Sequence, residues 1–107
     1  MHVLVLDHNL AKGLALALQL SSFGLVVETV PDVEEAARRL SAMVFDAVFY
    51  TGEGMDVDQR RRVQVFSELY PDTLFLPSER IDLFLEQIRK GTPKKQTLQR
   101  HASSSPR

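Results

Sequence analysis

The sequence contains no cysteine, so it can form neither a disulfide framework nor a thiolate metal site. No apolar run approaches the roughly 20 residues that a membrane-spanning helix needs. The first residues read at once as a strand and lack the basic region that begins a secretory signal peptide. These absences predict a cytoplasmic protein that does not bind membranes and carries no cofactor.

Length and charge define the expected domain. The 107 residues, 44% of them apolar, correspond to one domain with a small core. Residues 1–91 hold all fourteen acidic residues and nine Lys and Arg, a balance of −5, whereas residues 92–107 hold four basic residues and no acid. We therefore predict a globular domain over residues 1–91 and a disordered basic tail over residues 92–107.

Strand and helix patterns alternate along the first 91 residues. Strands are predicted over 3–6, 25–30, 47–50 and 73–76, and helices over 10–22, 33–42, 58–70 and from 79 onward. Such alternation implies parallel strands joined by right-handed helical crossovers. The expected fold is a flavodoxin-like three-layer α/β sandwich with a mostly parallel, four-stranded sheet.

Local signals place the helix ends. Asn9 and Asp32 are typical N-caps, and Glu35, three residues after Asp32, predicts a capping box. Ser78 is in position to cap the last helix. In the first helix four apolar residues share one face, which we expect to meet the core: Leu10, Leu14, Ala17 and Leu18.

Several short sequence patterns occur in an order that is informative about the family. An acid, Asp7, follows the first strand, and Thr51 follows the third. The remaining patterns are Glu28-Thr29-Val30-Pro31-Asp32, Glu34-Glu35-Ala36, Phe45-Asp46 and Tyr70-Pro71-Asp72. Together, over residues 2–91, they resemble a response-regulator receiver domain of the chemotaxis-regulator type. The resemblance implies a flavodoxin-like fold and a role in signal transduction.

The residues that carry receiver chemistry are mostly replaced. By the resemblance, Asp7 matches the first of the paired acids, and His8 stands where the second, metal-contacting acid belongs. Imidazole is a poor ligand for Mg²⁺. Thr51 replaces the aspartate that accepts phosphate, and the usual hydroxyl position falls at Pro77, with Ser78 one residue later. We therefore expect no phosphotransfer, no bound metal and no enzymatic activity.

About 20 residues, or one βα unit, are missing relative to a typical receiver. The last strand aligns with either the fourth or the fifth receiver strand, and the sequence leaves both open. In either case it should lie at a sheet edge whose unpaired backbone groups invite pairing with another chain, including a second copy. The residues of this predicted interaction edge are Thr73, Leu74, Phe75 and Leu76.

Three acidic residues could form a residual pocket at the loop end of the sheet. They are Asp7, which follows the first strand, and Glu53 and Asp56, which lie in the loop after the third. Weak binding of a divalent ion there is one interpretation, and plain solvation of loop acids is the other.

The preferred hypothesis is a degenerate, truncated pseudo-receiver that acts by protein–protein interaction in signal transduction or transcriptional regulation. Its partner would belong to two-component, motility or transcription machinery, and it could form a homodimer. One alternative is a receiver phosphorylated at an atypical acid, such as Asp7 or Asp56. Another is an accessory protein that binds nucleic acid through its basic tail, although no groove-reading motif is present. A small enzyme would need a nucleophile–base pair that the sequence does not reveal.

Overall fold

A computed structural model describes residues 1–90, so the predicted basic tail lies outside the described residues. Strands and helices alternate throughout, as predicted, with one 3₁₀ turn, Ser78–Arg80, before the last helix. The strands are β1 (His2–Leu6), β2 (Val26–Val30), β3 (Ala47–Tyr50) and β4 (Leu74–Pro77). The helices are α1 (Leu10–Ser21), α2 (Val33–Ala42), α3 (Val57–Leu69) and α4 (Ile81–Lys90).

All four strands are parallel and lie in the order β2-β1-β3-β4. The core has two layers, one on each face of the sheet. On one face Phe49 packs with Leu20 of α1 and Phe84 of α4. On the other, Val48 packs with residues of α2 and α3. This is the predicted flavodoxin-like three-layer sandwich.

The central strands account for the stability of this arrangement. Val3, Leu4 and Val5 are fully buried, because helices cover β1 from both sides. Across the layer that contains α4, the rings of Phe49 and Phe84 meet edge to face, with centroids 5.0 Å apart. Among residues 1–90 no helix is both long and apolar enough to cross a membrane.

The starts of α2 and α3 differ in part from the prediction. The Asp32 side chain accepts from the Glu35 N–H at 2.8 Å, as predicted, but the Glu35 carboxylate pairs with Arg38 and does not complete a capping box. A reciprocal box forms instead at α3, between Asp56 and Gln59. Helix α3 therefore begins at Val57, one residue before the predicted start.

The orientation of α1 differs from the prediction. Leu10, Leu14 and Leu18 do share one face, but that face points to solvent, while Gly13 and Leu20 are buried. The helix is apolar nearly all round, so the spacing of its leucines cannot show which side meets the sheet.

The last strand extends one residue beyond its predicted end. Pro77 is its final residue and lies opposite Tyr50. A proline, which lacks an N–H, is tolerated here because β4 is an edge strand. Ser78 consequently begins the 3₁₀ turn and lies outside the last helix, which starts at Ile81.

Candidate functional site

Three side chains meet where parallel strands end. Asp7 follows β1, Thr51 follows β3 and Ser78 follows β4, and the register pairs Leu6 with Tyr50 and Tyr50 with Pro77. Parallel α/β sheets bind ligands at this edge, outside the carboxyl ends of the strands. The predicted positions Asp7, Thr51 and Ser78 are therefore brought together.

The Asp7 carboxylate is the buried centre of the site, with only 1% of its side chain exposed. Its Oδ1 accepts from the Asn9 N–H at 2.8 Å, and its Oδ2 accepts from the Thr51 hydroxyl at 2.9 Å. A buried carboxylate needs such partners, because water no longer solvates it. Gly13 of α1 lies against it, and a Cβ at that position would stand 3.7 Å from the Asp7 Cβ.

A second hydroxyl continues the chain of hydrogen bonds. The Ser78 Oγ lies 3.0 Å from the Thr51 Oγ1 and 3.1 Å from the Tyr50 carbonyl oxygen. Each hydroxyl has one proton to donate. Thr51 donates its hydrogen bond to Asp7, because a hydrogen bond to a charged acceptor is stronger than one to a neutral acceptor. Ser78 also has one proton, for which the Thr51 Oγ1 and the Tyr50 carbonyl oxygen are the two acceptors within reach. The three side chains satisfy one another without a ligand.

A cavity of about 370 Å³ opens beside this chain. At its mouth the Lys12 Nζ lies 2.6 Å from the Glu53 Oε1. The hydrogen bond to Glu53 and its charge raise the pKa of Lys12, and the same contact lowers the pKa of Glu53. The lining residues are Asp7, Lys12, Ala15, Leu16, Thr51, Gly52, Glu53, Ser78 and Glu79.

Lys12 was not singled out in the sequence. It is the sole charged residue of α1, it follows the Asp7 loop by one helical turn, and it therefore had to lie at this edge of the sheet. Those two facts were the available signal. Its pairing with Glu53, 41 residues away, depends on the tertiary structure.

The predicted acidic pocket assembles only in part. Asp7 and Glu53 line the same cavity, but Asp56 is absent from its lining and instead caps α3, accepting from the Gln59 N–H at 2.8 Å. Within residues 1–90 no group of three or more His, Asp or Glu side chains is arranged to hold a metal ion.

His8 is held beside the site without entering it. Its side chain is 60% exposed, and its Nδ1 lies 4.0 Å from the Asp7 Oδ1. The ring rests against Gly54, where a Cβ would collide with it and where φ is +84°. Glycine is therefore favoured at position 54, chiefly by the positive φ and in addition by the contact with the ring.

The predicted interaction edge has fewer unpaired backbone N–H groups than a free strand would have. Strand β4 does lie at the sheet edge, but the Thr73 N–H and hydroxyl both bond within the protein. The Leu74 N–H donates toward β3 at 3.0 Å, and by alternation so does that of Leu76. Pro77 has no N–H. Phe75 thus supplies the single outward N–H of this segment, and homodimer formation here stays a prediction.

Comparison with known proteins gives a likeness to a solved structure. No protein-family model matches the chain, and no curated protein matches it. Among solved structures it is similar to the crystal structure of a protein assigned to pilus assembly, cpaE, from Burkholderia thailandensis E264. The TM-score is 0.63 and the identity 18%, over 98% of this chain and 99% of that one. At this identity the likeness shows the fold alone, a parallel α/β sandwich.

Proposed function

We propose that this chain is a degenerate receiver-like regulatory protein that binds another protein and takes up no phosphate. The observation that supports the proposal is the closed chain of hydrogen bonds from Ser78 through Thr51 to Asp7. By the resemblance, a receiver would present a carboxylate nucleophile at position 51. Here a neutral hydroxyl occupies that position, and it donates a hydrogen bond to the neighbouring carboxylate of Asp7.

Thr51 is a poor candidate nucleophile for phosphoryl transfer. Its hydroxyl donates a hydrogen bond to the Asp7 Oδ2 at 2.9 Å, so a hydroxyl–base contact does exist, although the sequence alone did not reveal it. Phosphoryl transfer also needs cations on the phosphoryl oxygens. Within residues 1–90 no acidic cluster suits a metal ion, and Lys12 is already paired with Glu53. The arrangement favours a structural contact over a reaction.

Without a phosphate switch, the binding surface is always presented. Regulation then comes from the amount of protein, from oligomer formation or from a second partner that prefers one state. The partner we expect is a protein of two-component, motility or transcription machinery. The likeness to the cpaE structure adds pilus assembly as a cellular setting to test.

The phosphorylation test uses the full chain with acetyl phosphate and Mg²⁺, read by intact mass. We expect no gain of a phosphoryl group. If a gain appears, hydroxylamine distinguishes an acyl phosphate, which it cleaves, from a threonine ester. Loss of the gain in Asp7→Asn or Asp56→Asn would then identify an atypical receiver and overturn the proposal.

The binding test is affinity capture from native lysate with the full chain and with a chain that stops at Gly91. Recovery of the same protein by both places recognition in the globular domain, as proposed. If capture needs residues 92–107, the basic segment carries recognition. If the captured material is nucleic acid, released steeply by salt, the accessory nucleic-acid hypothesis replaces this one.

A further inference from the structure

The outer face of α1 is an apolar surface without a partner among residues 1–90. Leu10, Leu14 and Leu18 are 71%, 49% and 73% exposed. Ala11 and Ala15, between them, are exposed too. These five residues form the α1 face. A helix that is apolar on every side is normally buried on every side.

The α1 face carries no charge. Lys12, the single charged residue of the helix, lies toward the cavity side and is paired with Glu53. A partner with a charged docking surface would find no complementary group here. A second copy of the same uncharged face would meet it without repulsion between like charges.

The order of large and small side chains fits helix-on-helix packing. Leu10, Leu14 and Leu18, spaced four apart, form a ridge along the helix. On one side of that ridge Ala11 and Ala15 leave a groove, which ends at the longer Gln19. On the other side lie Ala17 and Ser21, while Gly13 of the same row is buried against Asp7. Ridges of this spacing fit into matching grooves in the commonest class of helix packing, at about −50°.

We propose that a second copy of this chain covers the α1 face, with the two helices antiparallel and the two-fold axis between Leu14 and Ala15. In that alignment Ala11 faces Leu18 of the second copy, and Leu14 faces its Ala15. Leu14 and Leu18 each meet an alanine, whereas Leu10 meets the longer Gln19. The match of leucine with alanine follows from two rows of residues spaced four apart, and the two-fold axis makes it self-complementary.

The area of the α1 face sets the strength of this contact. Two 12-residue helices that cross in this way bury on the order of 400 Å² on each copy. A standard stable interface buries about 800 Å² per partner. The dimer is therefore weak, and we expect half-dissociation between about 10 µM and 1 mM. This inference does not depend on the proposed regulatory role.

Sedimentation equilibrium of the full chain over that concentration range tests the proposal. The average mass should rise toward that of two chains. Leu18→Glu should weaken association at least about tenfold, because the dimer would bury the new charge. The matched control is Leu69→Glu on α3, a leucine that is 64% exposed on the other side of the sheet, and it should leave association unchanged.

Three results would overturn the proposal. They are a chain that stays monomeric at 1 mM, association that Leu18→Glu leaves intact, and equal weakening by Leu18→Glu and Leu69→Glu. Capture of a different protein on the α1 face by a monomeric chain would likewise assign the face to that protein.

Disulfide cross-linking gives an independent test. Because the sequence has no native cysteine, only the introduced cysteine can form a disulfide. In the antiparallel alignment, residue 15 lies about 1.5 Å along the helix axis from residue 15 of the second copy. Residue 19 lies about 13 Å along that axis from residue 19 of the second copy. Ala15→Cys should therefore form a disulfide dimer under mild oxidation, and Gln19→Cys should not. Equal cross-linking of both, or of neither, contradicts the alignment even if a variant of Leu18 fails to fold.

Discussion

Replacing Thr51 with valine isolates the hydrogen bond at the centre of the site. Valine keeps the branched shape of threonine and removes only the donor, so it leaves no cavity behind. The Asp7 Oδ2, on a side chain with 1% exposure, then loses its hydrogen bond to Thr51. Ser78 keeps its contact with the Tyr50 carbonyl.

The magnitude follows from the charge of the acceptor. A hydrogen bond to a charged group contributes roughly 1.5–3 kcal/mol, and an unsatisfied buried group costs a similar amount. We expect the free energy of unfolding to fall by about 2 kcal/mol. In a domain of this size that corresponds to a melting temperature about 8–16 °C lower.

Urea unfolding followed by circular dichroism measures the change, and Thr73→Val is the matched control. The Thr73 hydroxyl is also buried and donates at 2.7 Å, but to the neutral carbonyl of Phe45. Its loss should therefore cost less, about 1 kcal/mol. In the Thr51→Val background, Asp7→Asn should recover part of the loss because it removes the buried charge. A Thr51→Val effect below about 0.5 kcal/mol, or equal to that of Thr73→Val, would refute the reasoning.

Three further predictions concern the surroundings of the site and the core. Gly54→Ala should lower the free energy of unfolding by about 1–3 kcal/mol, because φ is +84° and the new Cβ meets His8; His8→Ala should relieve part of that loss. Since the Lys12 contact lowers the pKa of Glu53, its stabilisation is present above the ordinary value of 4.5 and is lost as the pH falls through the lowered pKa. In the Lys12→Met variant the pKa of Glu53, measured by NMR titration, should rise toward 4.5. The urea midpoint of this variant should lie below that of the wild type at pH 7 and equal it in acid. Phe84→Ala should cost about 3–5 kcal/mol in urea unfolding, because the side chain is fully buried against Phe49; a loss under 2 kcal/mol would contradict that packing.

The sequence was sufficient for the order of elements and the fold class. The apolar run Val3–Leu6 indicated a strand covered on both faces, and the alternation of strands with helices indicated a parallel sheet. Asn9 and Asp32 were recognisable caps because their chemistry is local. The side of α1 that meets the sheet was not recognisable, since its apolar residues occur in nearly every direction.

The site was predictable at the level of strand ends and not of contacts. Asp7 and Thr51 had to lie side by side once β1 and β3 were neighbours. The position of Ser78 next to Thr51 depends on Pro77, which extends β4 by one residue, and on the 3₁₀ turn that follows. Neither has a pattern in the sequence, because both result from pairing with a strand whose residues lie 27 positions earlier.

The closed chain of hydroxyls at Asp7 has a consequence for the conditions under which the domain keeps its shape. Two carboxylates placed side by side repel each other unless a cation lies between them, and a domain built around such a pair responds to the supply of that cation. Here a neutral hydroxyl takes the place beside Asp7, so this pair carries no such repulsion. We therefore expect the folded domain to be independent of divalent ions: magnesium and a chelator should leave its melting temperature the same, and one shape should persist across ionic conditions.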